Sequence, residues 1–148
     1  CRCFILYGKV MFLIACVFTY NQILGLSGIP RMKSLATITE NDIDTIKIAL
    51  NDSISDINNE LNGDIKQKKR VELLDYKEKY LKVYNKLRQN PSIYSLSETE
   101  LDITAGGLND AIQLLEEMLA SGDLDSEELE ATITVRNECS HLVELLAG

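Results

Sequence analysis

The chain has 148 residues, of which 45% are apolar and 26% charged, a composition that suits one folded domain with a modest core. Its formal net charge of −8 disfavours direct binding to nucleic acid. Three of the four cysteines lie within the first 16 residues, so they supply neither a disulfide framework nor paired zinc ligands. We therefore expect the body of the protein to work in a reducing compartment, the cytoplasm.

Residues 1–31 differ from everything that follows, because they are apolar and contain no acidic residue. The composition changes abruptly at Met32, which favours a start of translation there and an upstream extension before it, with residue 1 and Met11 as alternative starts. We therefore predict two parts, an apolar N-terminal extension over 1–31 and an acidic helical domain over 32–148.

Two other interpretations of the extension stay open. A membrane anchor over 4–29 is one, although the uncharged run from Val10 to Tyr20 has 11 residues and a bilayer needs roughly 20. A secretory or lipoprotein signal ending at Cys16 is the other, although only six residues separate that cysteine from Lys9. Signal cores usually have about 7–15.

The first helix is predicted over residues 39–61. Thr39 and Asp42 have the spacing of a capping box, and Asn62-Gly63 predicts a left-handed glycine cap at the end. Apolar residues recur every three or four positions, as on one face of a helix: Ile43, Ile46, Leu50, Ile54, Ile57 and Leu61.

The second helix is predicted over 65–89, before Asn90-Pro91, and it holds most of the basic residues. Tyrosines at helical spacing interleave with these lysines and arginines: Tyr76, Tyr80 and Tyr84. Basic residues with aromatic rings can bind nucleic acid. We favour the simpler interpretation, in which the rings face the core and the lysines face water.

The third and fourth helices repeat the first two. The stretch Leu50-Asn51-Asp52-Ser53-Ile54 returns 58 positions later as Leu108-Asn109-Asp110-Ala111-Ile112, and Ser97 with Glu100 repeats the capping spacing. After Ser121-Gly122 the best offset is 59. The fold class predicted is all-α, a four-helix body of two antiparallel hairpins over 39–89 and 97–147. Either duplication of one hairpin or chance similarity between amphipathic helices would explain the match between the two hairpins.

Two further predictions concern the helices of the second hairpin. Gly106-Gly107 weakens the third helix, so it indicates a close helix crossing, a frayed helix start or a flat spot where a partner approaches the backbone. The fourth helix is predicted to begin near Asp125 or Ser126, with Glu128 completing a cap.

Motifs for catalysis, cofactors and metals are not apparent. Asp123 to Glu128 resembles a calcium loop, but Glu128 stands where that loop needs glycine. Cys139 and His141 are two residues apart and would lie on different faces of a helix. His141 is the single histidine, and the carboxylates have the spacing of a solvent-exposed face. We therefore expect no enzyme activity, no cofactor and no metal site.

The charge is distributed very unevenly. Residues 32–89 include 11 basic and 10 acidic residues, whereas residues 90–148 include one basic residue, Arg136, and 13 acidic ones. The simpler explanation is that the basic second helix forms ion pairs with acidic neighbours, although each exposed pair contributes only about 0–1 kcal/mol to stability. The functional explanation is an acidic face for a basic protein partner. Its candidate binding residues are Glu116, Glu117, Asp123, Asp125, Glu127 and Glu128.

In size, acidity and lack of enzyme motifs, residues 32–148 resemble inhibitors from phages and mobile elements, including anti-CRISPR proteins. The resemblance implies a protein partner with a basic, nucleic-acid-handling surface, and no motif transfers a role to any residue. The alternatives are a membrane-tethered accessory protein that uses 4–29, and self-association of the hairpins into a homodimer.

Overall fold

The computed structural model describes residues 29–148, with side chains from Met32 onward. The proposed extension over 1–31, the anchor over 4–29 and the alternative start at Met11 thus lie outside the described residues, apart from the helix that begins at Ile29. The part described is all-α and contains no strand, which confirms the predicted class. Its helices are α1 Ile29–Leu35, α2 Glu40–Leu61, α3 Gln67–Gln89, α4 Glu98–Ser121 and α5 Ser126–Ala147, with a 3-10 turn at Ile93–Ser95.

Helix α1 was not predicted, and it crosses the boundary drawn between extension and body. Pro30 in its first turn suits a helix start, because its missing N–H would have no helical acceptor there. The helix packs against α5, and Leu35 is buried in the core.

The four long helices form two hairpins, α2–α3 and α4–α5, which pack together mainly through α2 and α4. Ser53 of α2 donates a hydrogen bond of 2.8 Å to the Gly107 carbonyl of α4. Farther along both helices, Asn59 and Ser121 line the same groove. Helices α2 and α4 therefore run in the same direction, and the turns of both hairpins point the same way.

Three of the helix starts follow the predicted capping chemistry. In each, a side chain at the cap accepts a hydrogen bond from a backbone N–H three residues on, and the carboxylate there accepts one in return. The pairs are Thr39 with Asp42, Ser97 with Glu100 and Asp125 with Glu128. Lys66, before α3, makes no such bond, and α3 begins at Gln67, two residues later than predicted.

The two hairpin turns differ. Gly122 has φ +73° and forms the predicted left-handed cap of α4. The same prediction is wrong for Gly63, which has no positive φ. There Asn62, the residue that caps α2, has right-handed geometry, and the Gly63 N–H donates to the Glu60 carbonyl at 3.1 Å. A tightened last turn satisfies the free carbonyl without a left-handed residue.

The repeat also appears in the pattern of burial. Four buried residues of α3 (Leu73, Tyr80, Val83 and Leu87) have buried counterparts 59 positions later, Thr132, Cys139, Leu142 and Leu146. In α2 and α4 the equivalence holds through Leu50 and Leu108 and then weakens, since Ile54 and Ile57 are buried but Ile112 and Leu115 are only partly so. The second hairpin is therefore less enclosed toward its turn.

Gly107 is the point of closest approach between the hairpins. A Cβ at this position would lie 2.5 Å from Cδ2 of Leu50, whose side chain is fully buried. The predicted close helix crossing is confirmed. The alternative, a flat spot for an external partner, is wrong, because the chain's own Leu50 occupies that space.

Candidate protein-binding surface

The six candidate carboxylates gather around the turn of the second hairpin. They lie on the last turns of α4, in the connecting turn and on the first turn of α5. Five are exposed, and Glu117 is half-buried. The structure therefore brings together residues that the sequence spreads over 13 positions.

Two of the six also hold the start of α5. Asp125 accepts a hydrogen bond of 2.8 Å from the Glu128 backbone, and Glu128 accepts one of 3.0 Å from the Asp125 backbone. Substituting either residue would weaken the helix start, by about 1 kcal/mol for a lost cap. Within residues 29–148, no capping hydrogen bond involves the side chains of Glu116, Asp123 or Glu127. Substituting these three residues therefore changes the surface charge without removing a helix cap.

Within residues 29–148, ion pairs do not neutralise Glu116, Asp123 or Glu127. Four ion pairs within the described part of the chain join Lys47 to Asp44, Lys69 to Glu60, Lys79 to Asp75 and Lys86 to Glu100. The last of these links the basic helix α3 to the acidic hairpin, at the end away from its turn. Among residues 29–148, none of these pairs includes Glu116, Asp123 or Glu127, so their charges face water.

A groove of about 630 Å³ lies between the C-terminal halves of α2 and α4. The α2 wall is polar and consists of Asp52, Ser55, Asp56 and Asn59. The α4 wall is mainly apolar, with Ala111, Leu114, Leu115 and Met118, flanked by Glu117 and Ser121. Glu117 lines the groove and is also one of the six carboxylates around the turn, so the groove adjoins the acidic turn.

The repeated aspartates have different environments. Asp52 lies on the groove wall, and partial desolvation raises the pKa of its carboxyl above the usual value. Its repeat partner Asp110 is 4% exposed, and the Tyr80 hydroxyl donates to its Oδ2 at 2.9 Å. Oδ1 of Asp110 is buried and accepts no hydrogen bond from the residues described.

Burial raises the pKa of Asp110 to about 7. The hydrogen bond from Tyr80 opposes this shift, and the negative charge of Asp56 adds to it. The expectation that carboxylate spacing fits a solvent-exposed face is therefore wrong for Asp110. The apolar stripe gave no signal for this burial, because it depends on how α3 packs against α4.

A second carboxylate is buried at the start of α4. Glu100 is 6% exposed, and its Oε1 accepts hydrogen bonds from Nζ of Lys86 at 2.7 Å and from the Ser97 backbone at 3.1 Å. Burial favours a higher pKa, but these hydrogen bonds outweigh it, so the pKa of Glu100 lies below its usual value. The capping spacing predicted the bond to Ser97 and gave no hint of the one to Lys86.

The tyrosines of α3 do not form a platform for bases. Tyr76 and Tyr80 are buried and Tyr84 is partly buried, which confirms the core interpretation. Cys139 is buried whereas His141 is exposed, so the two face differently.

Across residues 29–148, no three His, Cys, Asp or Glu side chains come close enough to hold a metal ion. No helix in the same region combines the length and apolar character needed to cross a membrane.

Comparison with known protein families, with curated proteins and with solved structures found no match for this chain.

Proposed function

We propose that the protein is a small acidic inhibitor that binds another protein through its second hairpin. It covers a basic surface that the partner uses to handle nucleic acid, in the manner of the phage and mobile-element inhibitors that it resembles. The proposal rests mainly on one observation, the exposed carboxylates Glu116, Asp123 and Glu127, for which residues 29–148 provide no ion-pair partner.

The physical basis is electrostatic. A surface of one sign accelerates encounter with a surface of the opposite sign and repels polyanions, so it selects a basic protein over nucleic acid. In this proposal the protein acts in the cytoplasm by occupying its partner's surface, without catalysis, cofactor or metal.

The test begins with capture of partners from a lysate of the source organism or its host, using the full chain at low and high salt. We expect one basic, nucleic-acid-binding protein that salt releases, because screening weakens exposed charge pairs. The purified partner should then lose nucleic-acid binding when the chain is added.

Charge reversal identifies the surface. Glu116→Lys with Glu127→Lys should weaken binding and flatten its salt dependence. The matched control, Glu78→Lys with Glu144→Lys, alters the net charge equally at exposed positions away from the turn. Equal affinity of the two double variants would contradict the acidic-surface proposal.

A membrane-tethered accessory role is the competing proposal, favoured by the apolar composition of residues 1–31, which contain no acidic residue. Fractionation of cells that express the native locus separates the two. The inhibitor proposal expects the protein in the soluble fraction, and recovery in the membrane pellet would favour the tether.

A further inference from the structure

The groove between α2 and α4 has two chemically different walls, and this difference constrains what can bind there. The α4 wall offers Ala111, Leu114, Leu115 and Met118, which recur at intervals of three, one and three along one helix face. Met118 is 45% exposed, so apolar surface remains uncovered at this end of the molecule. Such a stripe suits the apolar face of a partner helix.

The opposite wall adds a charge requirement. Asp52 and Asp56 lie one helical turn apart on α2, and no ion pair within the described residues includes either of them. A segment that follows the α4 stripe would thus place its polar flank against these carboxylates. Lys or Arg on that flank would be stabilised, whereas acidic side chains would be repelled.

The dimensions suit a short helix. From Ala111 to Ser121 the α4 wall extends about 15 Å at the rise of an α-helix. This length corresponds to about three turns, enough for anchors at positions i, i+3 or i+4 and i+7 of a bound helix. The volume of about 630 Å³ lies within the range of about 300–1,000 Å³ typical of binding pockets.

From these observations we propose that the groove is the docking site for a basic amphipathic helix of the partner protein. This inference rests on the proposed function and specifies it, since it assigns the partner's helix to the groove and leaves the acidic turn to steer the approach. The apolar stripe supplies contact area and Asp52 with Asp56 supply the preference for a basic helix.

The first test uses a fluorescent synthetic peptide of about 14 residues, with leucines on one helical face and lysines on the other. A peptide of the same composition with the leucines scattered is its control. Fluorescence anisotropy with the full chain should show tighter binding of the amphipathic peptide, because only its leucines match the stripe. Equal binding of the two peptides would overturn the groove proposal.

The second test fills the groove. Ser55→Trp places a large side chain on the polar wall, and Asn51→Trp places the same side chain on an exposed position of α2 outside the groove. The chain has no tryptophan, so the emission of each variant also reports whether the new ring is shielded. We expect Ser55→Trp to weaken amphipathic-peptide binding about tenfold and Asn51→Trp to leave it unchanged. Unchanged binding in both would overturn the proposal.

The third test separates the groove from the acidic turn. Asp52→Asn with Asp56→Asn should weaken binding of the peptide more than Glu116→Gln with Glu127→Gln, which removes two charges outside the groove. If only the turn variant weakens binding and Ser55→Trp has no effect, the groove proposal fails while the acidic-surface function stands. If the groove variants abolish peptide binding but the natural partner still binds, the site exists and the proposed docking is wrong.

Two other occupants would also overturn the proposal. If the chain's own residues 1–28 fill the groove, the amphipathic peptide will bind no better than the scattered one. If a second copy fills it, light scattering will show a dimer that Ser55→Trp, and not Asn51→Trp, dissociates.

Discussion

Asp110→Asn tests whether the buried carboxyl of α4 carries its proton in the folded protein. In the unfolded chain this group titrates near the ordinary value of 3.8, and in the folded chain burial raises the pKa to about 7. Between these values the folded state holds a proton that the unfolded state has lost. The stability of the parent therefore falls as pH rises through this window and levels off above about pH 7.

The expected size follows from the shift. Each pH unit in the window costs about 1.4 kcal/mol, so the parent should lose roughly 2–3 kcal/mol of stability between pH 5 and pH 7 through this group alone. Asparagine cannot ionise, and its side-chain oxygen can still accept the hydrogen bond from Tyr80. The stability of the variant should therefore not fall through this group between pH 5 and pH 7. Any stability that the amide itself costs should be the same at every pH.

Urea unfolding followed by far-UV circular dichroism, from pH 5 to pH 8.5, measures the difference between parent and variant. The control Asp123→Asn removes an exposed carboxylate from the turn and should follow the pH dependence of the parent. A difference between parent and Asp110→Asn that stays constant with pH would refute the reasoning, because Asp110 would then be ionised in the folded protein.

Three further changes test contacts that α4 makes with α2 and α3. Tyr80→Phe removes the hydrogen bond that opposes the shift, so the pKa of the buried aspartate, followed by NMR titration, should rise further. Gly107→Ala should lower the free energy of unfolding by up to roughly 2 kcal/mol, because crowding of Leu50 costs about 1–3 kcal/mol and the better helix propensity of alanine offsets about 1 kcal/mol of that cost. A more stable alanine variant in urea would contradict the close crossing. Lys86→Met should cost about 1–3 kcal/mol by leaving Glu100 buried without its cation, and thermal unfolding that matches the parent would argue against that contact.

Local chemistry in the sequence predicted the helices well, because the relevant signals act within one or two turns. Thr39 with Asp42 and Ser97 with Glu100 mark helix starts through hydrogen bonds three residues apart. Gly63 shows the limit of this approach. A glycine after a helix permits a left-handed cap but does not require one, and the chain there closes its last turn in another way.

The candidate surface was predictable in part. Counting charges located the acidic hairpin, and its turn collects those carboxylates because α4 and α5 are joined by a short connection. The groove was not predictable. Its walls come from α2 and α4, and periodicity within one helix contains no information about which face meets another helix or where the two separate.

The sequence by itself determined the helical class, the two hairpins and the uneven charge, since each depends on residue types close together in the chain. The tertiary structure decided the environments of the two repeated aspartates. Asp52 and Asp110 occupy the same place in the repeat, yet the first lies on an open groove and the second is buried beside Tyr80. The physical reason is that burial depends on neighbours from other helices, and the two copies of the hairpin pack against different ones.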